Sequence, residues 1–312
     1  AAFFTLATNL DGPACVNPGI AVWLRADDGT VTGAAWADQS GNDFDFEQPT
    51  GSLQPATTGL INFNTALTLS NHEMLSAMTT EQMGITNADF EIIAVGRTGN
   101  NATQYLFASE TNENYEGHTN SGVNGWRFIP NTGVYSDQGA SNAYTNGIPH
   151  ILGGKVESDI GVTSVNNMLG SDALAGSENS TDIKLKIGRR GDNGFPWDGE
   201  IAEYIVYNRA LTSTEREQVN AYLAFKYGIT LNNGTVDYVA TDGLTEMWDK
   251  DADVTYVHDI AGIGRDDCTN LNQKQSKSQN DDAIVTMGLG AIEVDNVTNS
   301  NSFAADYSFL SW

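Results

Sequence analysis

Short apolar runs separated by polar turn clusters recur along most of the chain. Residues 20–24, 90–95, 105–108, 125–129, 148–152, 162–165 and 201–207 are each four to seven residues long and rich in β-branched or aromatic side chains. Residues 184–187 alternate, with Leu185 and Ile187 on one face and two lysines on the other. The same period of two places Ile201, Glu203, Ile205 and Tyr207 on a common face. Turn formers such as Asp38-Gln-Ser-Gly-Asn42 and Arg190-Gly-Asp-Asn-Gly194 lie between the runs. Many short strands, frequent turns and little helix predict an all-β fold built as a two-sheet sandwich.

One segment has helical spacing. Val219, Leu223 and Tyr227, with Tyr222 beside them, form an i, i+4, i+8 stripe. Thr212 and Glu215 fit a capping box at its start, and Gly228 stands where a helix-ending glycine belongs. The stripe predicts one helix docked on the sandwich. After Leu231 the texture changes, and Asn232-Asn-Gly234 reads as a linker-like turn. The expected organisation is an N-terminal arm over 1–15, a sandwich over 16–232 and a smaller, incomplete β unit over 233–312. The opening residues lack the basic start and full apolar core of a signal peptide. A removed signal or origin as a fragment is expected, because the last residues read as part of a strand.

Composition narrows the function classes. The net charge is -25, with 15 basic against 40 acidic residues. Such a chain repels phosphate backbones, which argues against nucleic acid. No run reaches the ~18–20 apolar residues of a membrane span. The two cysteines, Cys15 and Cys268, are too far apart for a redox or zinc pair. They form either one disulfide closing a very long loop or two separate buried thiols.

Three stretches carry a family resemblance: Trp23-Leu-Arg-Ala-Asp27, Trp36-Ala-Asp-Gln-Ser-Gly-Asn42, and the run from Asp198-Gly-Glu-Ile-Ala-Glu-Tyr-Ile-Val-Tyr to Thr212. They resemble the laminin-G-like, concanavalin A-like jelly-roll domains of large bacterial surface proteins. Residues 215–231 are similar to the helix that follows such domains in gliding bacteria. Asp259-Ile-Ala-Gly-Ile-Gly264 and Leu271-Asn-Gln-Lys-Gln-Ser276 resemble an uncharacterised module that often comes next. Val165-Asn-Asn-Met168 departs from the family's aspartate–glycine turn. The resemblance implies a two-sheet jelly roll, secretion (the type IX route among the options), and glycan or surface binding, in many members with a structural calcium.

Candidate chemistry follows from the oxygen-rich turns. Asp38, Asn42 and Asp43 share one turn, and Asp198 and Glu203 lie near the last apolar run, 201–207. A glutamate among apolar neighbours is costly unless paired, and calcium takes six to eight oxygens, so these five are the candidate calcium ligands. The alternative is that Asp38 and Asn42 cap their own turn while Glu203 meets an arginine. Asp249-Lys-Asp-Ala-Asp253 has the start of an EF-hand loop, but Val254 and Ile260 stand where glycine and glutamate are required. Glu110, Glu113 and Glu116 come nearest to a hydrolase carboxylate pair, at a spacing that sends consecutive members to opposite faces. The four histidines occur singly. Trp126, Tyr135, Tyr144 and Trp197 fall near turns and are the candidate sugar-stacking rings. The expected function is a non-catalytic, extracellular adhesion module that binds glycans, cell-surface or matrix components and touches neighbouring domains. A structural spacer is the alternative, and a polysaccharide hydrolase is the reading least supported.

Overall fold

The computed structural model describes residues 12–312, apart from 101, 112, 122–124, 139–143, 171–173 and 253. Among them two antiparallel sheets, of nine and eight strands, lie face to face. The first sheet runs Met168–Leu169, Ile160–Val165, His150–Glu157, Phe90–Thr98, Asp198–Tyr207, Asn64–Ser70, Ala56–Ile61, with Ile20–Arg25 also paired to Asp198–Tyr207 and Leu174–Ala175 to Ile160–Val165. The second runs Val134–Gln138, Gly125–Asn131, Glu116–Asn120, Gln104–Ser109, Lys184–Ile187, Met74–Thr79, Phe46–Glu47, Ala35–Trp36. The all-β sandwich with a C-terminal helix is thus the architecture observed.

Alternation builds the core between the sheets. Phe90, Ile92 and Ala94 from the first sheet meet Leu106, Trp126, Phe128, Leu185 and Ile187 from the second. The shared face expected for Ile201, Glu203, Ile205 and Tyr207 does not hold. A register shift between Ile201 and Glu203 leaves Ile201 in the inner core while Ile205 and Tyr207 point to the outer side. An extra residue in one strand inverts the period beyond it, and sequence alternation alone does not register that.

The outer side of the first sheet carries a second core. Trp23, Ile93, Val95, Ile151, Ile205 and Tyr207 pack there against Val219, Leu223 and Tyr227 of the helix Ser213–Tyr227. Tyr238, Trp248, Ile260 and Leu271 close the same cluster from the far side. The boundary drawn at 232 therefore does not separate two cores, because residues after 232 cover a helix already lying on the sandwich. The helix has the expected Thr212–Glu215 capping box and a left-handed Gly228. A Cβ on Gly228 would stand 2.3 Å from the carbonyl oxygen of Lys277. Only glycine fits both that backbone angle and that close approach.

Small sheets complete the C-terminal part: Tyr238–Val239 with Glu246–Trp248, Gly262–Asp266 between Leu271–Gln273 and Ser308–Ser311, and Gln275–Lys277 with Thr286–Gly288. Cys15 is joined to Cys268, with their Cα atoms 5.9 Å apart. At the departure from the family turn, Asn166 and Asn167 both adopt positive φ. Asparagine tolerates that region, so the hairpin closes without its glycine.

Candidate functional site

The first residues to place are the expected metal ligands, and they do not converge. The Asp38 carboxylate accepts from the backbone amides of Trp23 (2.8 Å), Ser40 (2.9 Å) and Phe44 (3.1 Å) and from the Ser40 hydroxyl (2.6 Å). It therefore organises its own turn. Asn42 donates to the carbonyls of Ile20 and Ala21 at 3.0 Å, and Asp43 is exposed at a positive φ. Asp198 is exposed at the other end of its strand. Glu203 is buried and meets two cations, Lys226 donating at 3.1 Å and the Arg25 guanidinium 3.6 Å away, with the Tyr222 hydroxyl donating at 2.6 Å. Among the described residues no group of three or more His, Cys, Asp or Glu is arranged to hold a metal ion. In the acidic turn after Trp248, Asp249 accepts from the amides of Asp251 and Ala252, and Asp253 lies outside the described residues.

Three of the four candidate stacking rings also prove unavailable. Trp126 and Trp197 are fully buried and Tyr144 nearly so. Trp126 Nε1 donates to the carbonyl of Gly153, and Tyr144 accepts from the Thr98 amide. Apolar burial of the ring and a partner for its polar tip account for all three. Only Tyr135, 38% exposed, offers a face.

That ring belongs to a larger arrangement on the outer face of the second sheet. Trp126 and Phe128 point into the core, so Arg127 between them points out. Strand register then sets Asp137, Arg127, His118 and Tyr105 directly opposite one another across four strands. At ~4.8 Å per strand this row is roughly 14 Å long. Arg127 pairs with Asp137 at 2.6 Å and lies over the Tyr135 ring at 5.3 Å. His118 stacks on Tyr105 with ring centres 4.3 Å apart. Tyr105 leans on Phe195, which is 45% exposed, and Arg190 covers Phe195 at 4.4 Å.

Within and beside the row are groups in unusual states. Glu116 is fully buried, one Oε accepting from the Glu113 amide at 2.7 Å and the other lacking a partner. Burial raises its carboxyl to about 7. His118 is buried with Nδ1 near the Thr119 carbonyl and Nε2 unpartnered, and burial lowers its imidazole to about 4. Burial, with the Glu116 charge nearby, pushes the Tyr105 phenol to about 12. Buried titratable groups with unmet hydrogen-bonding capacity, beside the exposed rings of Tyr135 and Phe195 and the partly exposed Arg127 and Arg190, mark a candidate binding face.

Comparison with known proteins adds the following. A family described as "Domain of unknown function (DUF8202)" matches residues 215–312. That stretch begins inside the long helix and takes in the small sheets. Among curated proteins no significant match is found. Trypanosoma rangeli sialidase in complex with sialic acid aligns at a TM-score of 0.48 and 14% identity, covering 66% of this chain and 33% of the sialidase. The chain thus spans about a third of that enzyme's length. The binding domain of Paraclostridial Mosquitocidal Protein 1 aligns at 0.48 and 16% identity, covering 70% of this chain and 57% of that one. Domain 4 of AbnA, an extracellular arabinanase from Geobacillus stearothermophilus in complex with arabinotriose, aligns at 0.45 and 14%, covering 65% and 97%. With every score below 0.5, none of these likenesses bears on the chemistry of the face.

In the sequence, residue 105 opens an apolar run, His118 is one of four lone histidines, and Glu116 and Arg190 belong to other motifs, so nothing joins them. Strand parity within residues 104–138 is the signal shared by Tyr105, Glu116 and His118, and it becomes a row only once the register is known.

Proposed function

We propose that this chain is a non-catalytic, extracellular binding module whose second sheet presents its outer face to a short stretch of glycan. The observation that carries the reading is the row Asp137–Arg127–His118–Tyr105 with Phe195 and Arg190 at its end. The exposed rings flanking the row, Tyr135 and Phe195, suit the apolar C–H surface of sugars, and the guanidinium and carboxylate groups between them suit hydroxyls. The row's length matches a few sugar units. Glu116, the one group on this face poised near neutrality, is covered by protein. A general acid must reach the bond it protonates, so its burial supports recognition rather than hydrolysis. The Cys15–Cys268 bond suits an oxidising compartment.

Titration calorimetry of the whole chain against oligosaccharides selected on a broad glycan array tests this. Arg190→Ala and Phe195→Ala should each weaken binding by tenfold or more, with melting temperature little changed. Absence of any glycan ligand, or affinity untouched by both variants, rejects it. The spacer reading draws support from another quarter: Ile284, Ile292, Val294 and Val297 are 54–91% exposed on the C-terminal part. A chain that binds no glycan but associates through that surface would favour it.

A further inference from the structure

A second cleft lies on the other side of the molecule, where the sandwich, the long helix and the C-terminal part meet. It has a volume of about 200 Å³. Arg25, Asp27, Asp28 and Lys226 line it together with Phe63 and Asn270. Lys274 lines it too, so cations outnumber carboxylates there, and the ions around Asp27 are held. Lys226 is buried and donates to Asp27 at 2.9 Å and to Glu203 at 3.1 Å. Arg25 approaches Asp27 at 3.3 Å and Asp28 at 3.3 Å. Burial works against the charge on Asp27, but Arg25 and Lys226 overcome it and hold the carboxyl well below its usual range. Asp27 Oδ2 receives one long hydrogen bond, 3.4 Å from Arg25. An ionised carboxylate offers about four acceptor positions, so Asp27 keeps capacity for a ligand hydroxyl.

The aromatic member of the lining is out of place by the rules of turns. Asn62 and Phe63 are the two-residue loop between Ala56–Ile61 and Asn64–Ser70, with φ of 47° and 64°. A hairpin loop with both residues in the left-handed region favours asparagine followed by glycine. The first position obeys. The second carries a bulky ring in a conformation that side chains disfavour. Neighbouring contacts hold the turn: Asn62 donates to the Lys226 carbonyl and the Ser276 hydroxyl at 2.9 Å and accepts from the Lys277 amide. Phe63's carbonyl accepts from the Asn296 amide. Each of these bonds uses backbone or Asn62, and none uses the phenyl ring. They explain how the strain is tolerated, and phenylalanine stands where glycine would be the unstrained choice. The ring is only half-buried, and its place in the cleft lining supplies a reason. Residues held in costly conformations by an over-determined frame cluster at ligand sites.

The walls are preformed. Asn64 donates to Gln273 Oε1 at 3.1 Å, Asn296 donates to Asn64 Oδ1 at 3.0 Å, and all three side chains are buried. A rigid rim of amides loses little entropy when a ligand enters.

We infer that this cleft is a second binding site, for one polyhydroxylated ring such as a monosaccharide or the terminal unit of a glycan. Phe63 stacks on the ring's apolar face, and Asp27 and the cleft's amides take its hydroxyls. The site is separate from the outer face of the second sheet, and neither depends on the other. The test is saturation-transfer NMR and titration on the whole chain with glucose, galactose, mannose, N-acetylglucosamine and myo-inositol. At least one should bind. Phe63→Gly should weaken it tenfold or more while raising the melting temperature by about 2 °C, since glycine relieves the left-handed strain. Asp27→Asn should weaken binding also, and Arg190→Ala should leave it unchanged. Three results would overturn the inference: no transfer to any probe, full binding by Phe63→Gly, or a lowered melting temperature in that variant, which would make the ring a packing element.

Discussion

Glu116 and His118 stand two residues apart on one strand face, and burial drives their proton affinities in opposite directions. The folded carboxyl titrates near 7 instead of 4.5, and the folded imidazole near 4 instead of 6.5. For Glu116 the folded state keeps a proton that the unfolded chain has lost, so its contribution falls as pH rises from 4.5 to 7. For His118 the unfolded chain binds the proton first, so its contribution falls as pH drops from 6.5 to 4. The two slopes oppose between 4.5 and 6.5 and flatten the profile there. Glu116→Gln removes one of them. Its stability should climb with pH between 4 and 6.5, and at pH 8 it should exceed the wild type by up to about 3 kcal/mol, at 1.36 kcal/mol per pKa unit. Denaturant melts at pH 5 and 8 check this; a variant less stable than wild type at pH 8 would show that the carboxylate has a partner in solution. Little of this was legible beforehand. His118 reads as a lone histidine because its neighbours Tyr105, Arg127 and Asp137 come from three other strands. Burial was misjudged at Trp126, Tyr144 and Trp197 for a related reason: nearness to a turn says nothing about which face a ring takes.

At the scale of elements, the long helix was the most legible feature, since its cap, stripe and terminal glycine are all local signals. Its polar positions were not. Arg216 is buried and makes a two-pronged pair with Glu91 of the central strand, at 2.7 and 2.8 Å, while Glu91 also accepts from the Leu211 amide. The pair fixes the helix start against the sheet. Removing one partner of such a pair leaves a buried charge unmet and costs ~3–5 kcal/mol, whereas changing both is milder. Arg216→Ala should therefore destabilise by about 3 kcal/mol or more, and Arg216→Met with Glu91→Gln by less than the single change. The second replacement is glutamine so that Leu211 keeps an acceptor. Equal losses in the single and double variants, measured by chemical denaturation, would place the energy in side-chain packing instead. Lys226 shows the same limit of sequence reading. A lysine on an apolar stripe looks like a solvated edge, yet here it meets Glu203 and Asp27, the first of which had been assigned to calcium. Glu203 alone was read as a glutamate that needs a partner, and it has one. The partner was a cation near the far end of the helix Ser213–Tyr227, brought over by docking that local spacing does not encode.

For the molecule as a whole, the question is how many cooperative units it contains. The sequence divides at 232, and a chain so divided would melt in two steps. The structure gives a different expectation. Trp23, Ile93, Val95 and Ile205 on the sandwich, Leu223 and Tyr227 on the helix, and Trp248 and Leu271 beyond it belong to one buried cluster. Neither part can lose the other without exposing that cluster. The Cys15–Cys268 bond ties the same two parts, at a sequence separation of 253. On the chain-entropy model a loop of that length is worth about 5 kcal/mol. Buried amides add specific ties, since Asn62 and Asn64 in the sandwich bond to Ser276 and Gln273. Calorimetry should therefore show one transition with equal calorimetric and van't Hoff enthalpies. Reduction, or paired Cys15→Ser and Cys268→Ser replacement, should lower its midpoint without splitting it, because the apolar cluster persists when the bond is gone. A chain ending at residue 232 should be poorly soluble, with the helix and outer sheet face uncovered. If reduction instead produced two separated transitions, the C-terminal part would be a unit merely tethered to the sandwich. The cleft lined by Phe63 would then open before the sandwich melts, and its binding would be lost in the first step.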